Sequence, residues 1–239
     1  MAPVTYSSYL RLDDLLALQQ PRSGEMEHDE TLFVIIHQVY ELWFKEVLHE
    51  MDYLQERLRA NDTALAGATL KRILTILKTL VAQIDVLETM TPLNFLSFRD
   101  RLESGSGFQS QQFREIEALL GKKARPSRRD NEPTLWDAFL DYLAANGYRV
   151  PKSKSSEPSP EVQKILIEVY RKNHLVAQIA ERFVDLDEGF MEWRYRHVKM
   201  VQRTIGTKAG TGGSKGAEYL LTTLNQPAFP DLWAIRSEL

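Results

Sequence analysis

Apolar residues recur at three- and four-residue steps through most of this chain. Leu65, Thr69, Ile73, Leu77, Leu80, Ile84 and Leu87 make one helical face over several turns. Residues 28–59 read as a second long helix. Thr91-Pro92 is a capping residue followed by proline at the first helical position, which predicts a short helix to about residue 101. Gly105-Ser106-Gly107 breaks it. Residues 110–120 are helical again, with Gly121 placed to end the helix. Thr134 caps a helix ending near Gly147. Residues 161–205 are helical with a break near Asn173, and a last short helix is expected at 217–224. Alternating strand patterns are almost absent. The pattern predicts an all-α fold, a helical bundle. Residues 121–133 and 151–160 read as flexible loops by composition. Neither reads as a domain boundary, because the helices on both sides are needed for one bundle. A single domain over residues 1–239 is expected, with residues 1–20 as an N-terminal segment.

Composition narrows the chemistry. A chain of 239 residues can bury one large core or two small ones. The net charge of −3 gives no sign of a general nucleic-acid or membrane-surface binder. The basic run in residues 122–133 reads as a solvated loop before it reads as a nucleic-acid contact. The absence of cysteine removes disulfides, thiolate nucleophiles and thiolate metal sites together. Residues 1–10 carry no basic segment followed by an apolar one, so no signal peptide is expected. No stretch has the apolar length to span a bilayer. A cytoplasmic globular protein is the expectation.

Two histidines stand out against this background. His37 lies in the apolar stripe of a long helix, with Phe33 one turn before it and Tyr40 and Glu41 within one turn after it. His197 lies in a stripe with Phe190, Trp193 and Val201, flanked by Arg194 and Arg196. A lone histidine on an apolar face is more often a hydrogen-bonded core residue than a ligand. The sharper reading is an axial haem ligand at His197 and a distal-pocket histidine at His37. Glu-x-x-His occurs at residues 25–28 and 46–49, but both copies lie on or beside one helix, several turns apart. They cannot converge on one metal pair within a subunit. The glycine-dense run at 206–216 lacks P-loop spacing. It reads as a flexible turn or as a mobile flap over a charged small ligand. Arg99, after Phe95 and Phe98, is suited to pairing with the carboxylate of an aromatic substrate, although a surface ion pair is the plainer reading.

Several motifs then coincide in order. They are Thr5-Tyr6-Ser7-Ser8-Tyr9-Leu10-Arg11-Leu12-Asp13, the Phe33–Lys45 run, Phe98-Arg99-Asp100, Ser106-Gly107-Phe108-Gln109-Ser110, Phe113-Arg114, Trp193-Arg194-Tyr195-Arg196-His197 and the run from Ile205 through Ser214. With this set the chain resembles the tryptophan 2,3-dioxygenase family from residue 5 to its end. The resemblance implies an enzyme that uses ferrous haem b and O2 to cleave the indole C2–C3 bond of L-tryptophan, giving N-formyl-L-kynurenine. It implies His197 as the iron ligand and His37 as the distal histidine that binds the indole N–H. Phe33 packs on the indole, Arg99 pairs with the carboxylate, Thr211 contacts the amino-acid end, and Ser106 and Gly107 lie near the distal haem face. Phe95 stands where some members have tyrosine, which removes one hydroxyl contact to the carboxylate. Tyr6, Tyr9 and Leu10 would come from a neighbouring subunit of a homotetramer. Relatives in secondary metabolism run monooxygenase chemistry on tryptophan analogues, and that alternative stays open on pocket motifs alone.

Overall fold

A computed structural model describes residues 3–24, 27–122, 125–151, 153, 157–211, 221–222, 224 and 226–239. Among them there are helices and no strands. In chain order these are α1 (Tyr6–Leu10), α2 (Leu12–Leu16), α3 (His28–Arg59), α4 (Thr63–Leu87), α5 (Pro92–Arg99), α6 (Gln111–Leu119), α7 (Leu135–Ala145), α8 (Pro160–Lys172), α9 (His174–Ile205) and α10 (Pro230–Ala234). Short 3-10 turns cover Asp100–Leu102, Gly107–Gln109 and Ile235–Glu238. The all-α reading holds. The helix expected at 217–224 falls almost wholly outside the described residues.

Helix boundaries follow local chemistry. Asp62, Thr91, Ser110, Thr134, Ser159 and Asn173 each accept a backbone N–H of the first turn that would otherwise go unpaired. Asn173 therefore does two things: it breaks the long 161–205 pattern into α8 and α9, and it starts α9. Gly121 takes φ +80, and the turn around it closes with Lys122 N–H on Glu117 O and Gly121 N–H on Ala118 O. That turn ends α6 and fixes where Glu117 and Lys122 point. α1 and α2 were not resolved by periodicity as separate helices. They are too short for the apolar period to show, and they bury no residue.

α4 is the spine. Its buried face (Leu70, Ile73, Leu77, Leu80, Ile84) packs against both α3 and α9, the two 32-residue helices. α3 also receives α6 and α7, while α9 receives α8 and α10. The main core runs through all of these and includes an aromatic group of Trp136, Phe139, Phe183 and Phe229. A smaller cluster of Ile36, Leu87, Met90, Phe95 and Phe98 lies apart from it, beside the end of α4. The functional cavities lie between these two clusters.

The loops differ in how they are held. Residues 121–133 contain no helix among the described positions, yet Arg125 and Arg129 turn inward. Each has only 17% of its side chain exposed, and they pair with Glu117 and with Asp52 and Glu132. The solvated-loop reading fails at these two arginines because carboxylates on α3 and α6 lie within reach. The C-terminus is latched by Asp187 of α9, a buried carboxylate that accepts the backbone N–H groups of Ala228 and Phe229 and the indole N–H of Trp233. Asp187→Ala leaves three donors without their acceptor, so it should lower unfolding stability by about 2–4 kcal/mol. A shift of the urea midpoint at unchanged slope measures this, and a shift within error would refute the latch.

Candidate active site

Two adjoining cavities open between α3, α5, α9 and the 105–110 turn. The inner one has a cavity volume of about 150 Å³ and the outer about 180 Å³, and both open to solvent. They share His37, Leu87, Gly107, Phe108, His197 and Met200. Two helices remote in sequence thus bring His37 and His197 to the same space. That is the geometry the two apolar stripes required.

The two imidazoles are held differently. His37 Nδ1 lies 2.7 Å from the carbonyl oxygen of Phe33, one turn back on α3. A carbonyl only accepts, so Nδ1 carries the hydrogen and Nε2 presents a lone pair. Burial holds the His37 pKa below the ordinary value of 6.5, against the opposing pull of the Phe33 carbonyl and the Glu41 charge. His197 has no hydrogen-bond partner among the described residues. Its ring stacks on Trp193, with centroids 5.4 Å apart and planes 12° apart. Burial, with a smaller contribution from His37, depresses its pKa to about 4, so it too is neutral at pH 7. A neutral imidazole with no partner among the described residues, bordering a largely apolar cavity, could serve as a metal ligand.

The outer cavity has an aromatic wall and a polar side. The Phe33 ring centre lies 4.1 Å from that of His37 and 5.7 and 5.6 Å from those of Phe95 and Phe98, so Phe33, Phe95 and the imidazole line the wall with Phe98 buried behind them. Arg99, Ser106, Gly107, Thr204 and Thr211 supply the polar side. The Arg99 guanidinium donates to the Ala209 carbonyl, and the Thr211 hydroxyl donates to Gly105 O at 2.7 Å. The start of the glycine-rich segment is therefore tied across the mouth of the cavity as far as Thr211. Residues 212–216 lie outside the described set. Among the described residues Arg99 pairs with no carboxylate and donates instead to the Ala209 carbonyl.

Most of the sequence-predicted residues converge here: His37, His197, Phe33, Phe95, Arg99, Ser106, Gly107 and Thr211 all line one cavity or both. Tyr6, Tyr9 and Leu10 do not. They sit on α1, at 76%, 77% and 42% exposure, and border neither cavity of their own chain. Of the two arginines flanking His197, only Arg194 lines a cavity, where it is buried and pairs with Glu117. Arg196 points outward to Asp85 and Glu88. The sequence reading missed Tyr40, Phe108, Arg125 and Met200 as wall residues. Tyr40 could have been found, since it is on the same stripe as His37. Arg125 could not, because nothing local signals that its loop folds back over Phe108. Its guanidinium lies 4.3 Å from the Phe108 ring centre and donates to the Phe108 carbonyl.

The site fits a planar iron porphyrin on three counts. The donor set is one free neutral imidazole, with a second imidazole bordering the same space. The inner walls are mostly apolar. A Cβ built on Gly107 meets no atom within 4 Å, so the chain leaves clear space there which a larger side chain would enter. No cluster of three or more histidine and acidic side chains that could hold a bare metal ion occurs among the described residues; His28, Glu46 and His49 border neither cavity, and Glu25 lies outside the described residues.

Comparison with known proteins follows the geometry. A family model described as tryptophan 2,3-dioxygenase matches residues 1–134 and 135–239. A tryptophan 2,3-dioxygenase of Herpetosiphon aurantiacus is 60% identical over 257 aligned positions, covering 99% of this chain and 98% of the relative. One from Anaeromyxobacter is 56% identical, covering 100% and 97%, and one from Caulobacter vibrioides is 41% identical, covering 99% and 98%.

If His197 is the ligand and His37 is not, the two differ in haem retention. His197→Ala should fail to give a stable haem absorption band on titration with haem, while His37→Ala should take up haem as the parent does. Normal uptake by His197→Ala would overturn the assignment.

Proposed function

Because this chain belongs to the tryptophan 2,3-dioxygenase family, we propose that it opens the indole C2–C3 bond of L-tryptophan with O2 to give N-formyl-L-kynurenine, using haem b held by His197. The observation that carries the reading is that a His197 imidazole without a partner among the described residues and a His37 lone pair border the same two adjoining cavities. The ferrous iron supplies the redox chemistry that lets O2 react with a closed-shell indole. Both oxygen atoms enter the product, so the balanced reaction consumes no external reductant.

The protein's own contribution is placement. His37 Nε2 accepts the indole N–H. Its hydrogen bond to Phe33 fixes both the tautomer and the ring orientation needed for that. His37 is an orienting partner and not an obligatory base, because the indole N–H is a very weak acid. Phe33 packs on the indole face, with Phe95 and Phe98 behind it. Arg99 binds the substrate carboxylate. Its guanidinium has five N–H donors and spends one on Ala209, so one cation joins the flap to the substrate. Phe95 offers no hydroxyl, which leaves Arg99 as the main carboxylate contact. Thr211 sits where the amino-acid end would lie, and Ser106 and Gly107 border the space beside the distal haem face. Closure of this segment keeps bulk water from the reacting atoms.

We also assign Tyr6, Tyr9 and Leu10 to a neighbouring subunit's pocket in a homotetramer. The support is physical. α1 carries a complete capping box, so it is a formed helix, yet Val4, Tyr6 and Tyr9 are each more than three-quarters exposed. A formed helix with bare aromatic side chains suits a partner surface. No helix among the described residues is long and apolar enough to cross a membrane. A cytoplasmic setting is the one proposed.

The test is anaerobic reduction of the haem-loaded protein, then addition of L-tryptophan and 18O2. Kynurenine-type absorbance with two labelled atoms per product is expected. One labelled atom would mean monooxygenase chemistry, and no tryptophan-dependent product would end the reading. Arg99→Lys keeps the charge but loses the planar fork, so kcat/KM should fall by about 10–100-fold. An unchanged value would remove Arg99 from the carboxylate site.

A further inference from the structure

The ring plane of His197 needs something to set it. Metal-bound histidines usually donate their second ring N–H to a carboxylate, a carbonyl or water, and that bond fixes both orientation and basicity. His197 has no such partner among the described residues. What it has is Trp193, one turn earlier on α9, almost coplanar in stacking at 12° and 5.4 Å. Two residues four apart on a helix lie one above the other, so the stack is built into α9 itself.

Trp193 is in turn immobilised. Phe113 of α6 lies 5.1 Å from it, Phe44 of α3 packs edge-on at 6.2 Å, and Tyr40 of α3 is also at 6.2 Å. Tyr40 is fixed from the far side, since its hydroxyl donates to the Leu80 carbonyl of α4 at 2.6 Å. Two helices therefore pack rings against one indole, with α4 bracing Tyr40 behind it, and that indole stacks on one imidazole. An aromatic side chain has only two torsions, and these neighbours limit both on the sides away from the cavity.

We propose that Trp193 is the positioning residue for His197: stacking on its indole, in place of a hydrogen bond, sets the plane in which the imidazole meets the iron. This rests on His197 being the ligand. With no carboxylate in reach among the described residues, the His197 imidazole would donate to iron less strongly than a carboxylate-bonded histidine, which favours the ferrous form the reaction needs.

The experiment compares Trp193→Phe, which keeps a stacking ring, with Trp193→Leu and Trp193→Met, which keep apolar volume without one. Each is loaded with haem. The readouts are the iron–histidine stretching band of the ferrous protein by resonance Raman, the haem affinity and the reduction potential. The aliphatic variants should show a shifted and broadened stretching band and about tenfold weaker haem affinity, equivalent to ~1.4 kcal/mol. Trp193→Phe should restore both toward the parent. A general packing defect would instead lower thermal stability in all three variants and leave the stretching band in place. A parental band and parental affinity in Trp193→Leu or Trp193→Met would overturn the proposal. Failure of the underlying ligand assignment is separate, because it would appear as normal haem uptake by His197→Ala.

Discussion

The site depends on one constraint: α3 and α9 are both clamped along α4, while facing each other mainly through aromatic side chains. Close helix packing in the middle of the bundle would leave no room for a planar group. Instead Tyr40, Phe44 and Trp193 bridge α3 and α9, and the space beyond them opens into two joined cavities. α4 carries the stability that permits this. Its apolar face is buried along most of its length by both neighbours, so the bundle tolerates a cavity at one end without collapsing into it.

The same constraint explains the buried charges around the cavity. Glu117 accepts from Arg125 and Arg194, one carboxylate oxygen to each, and all three side chains are largely withdrawn from water. One carboxylate shared by two guanidiniums leaves the trio with a net positive charge, and burial holds the Arg194 pKa below its ordinary value; the shared ion ties the loop after α6 to the helix that carries His197. Arg125 then fixes Phe108, through its ring and its carbonyl, on the wall shared by both cavities. Loop, helix and pocket wall thus move as one unit, and a substitution at Glu117 would be felt in all of them.

The legible part of the site lay in helices. His37 and His197 were visible because each interrupts an apolar stripe, and a polar ring in such a stripe is a local anomaly that periodicity exposes. The roles of Phe33, Phe95, Arg99, Ser106, Gly107 and Thr211 came from the resemblance to the family. The basic loop was harder. By composition residues 121–133 resemble any solvated connector. Only the fold brings Asp52 and Glu117 within reach of Arg129 and Arg125. Tyr6, Tyr9 and Leu10 are a different case: their local structure is formed, and their contacts are not made within a single chain.

By itself, the sequence determined the helices, their caps, the break at Asn173 and the two polar interruptions in otherwise apolar faces. These are properties of neighbours three and four residues apart, and short-range sterics and hydrogen bonding suffice for them. The tertiary structure alone decided that the two imidazoles border the same cavities, that His37 keeps a lone pair free while its other nitrogen is bonded, and that rings of α3 and α6 pack against the Trp193 indole that stacks on His197. Each of those needs groups far apart in the chain to arrive together, and no local pattern encodes the distance between them.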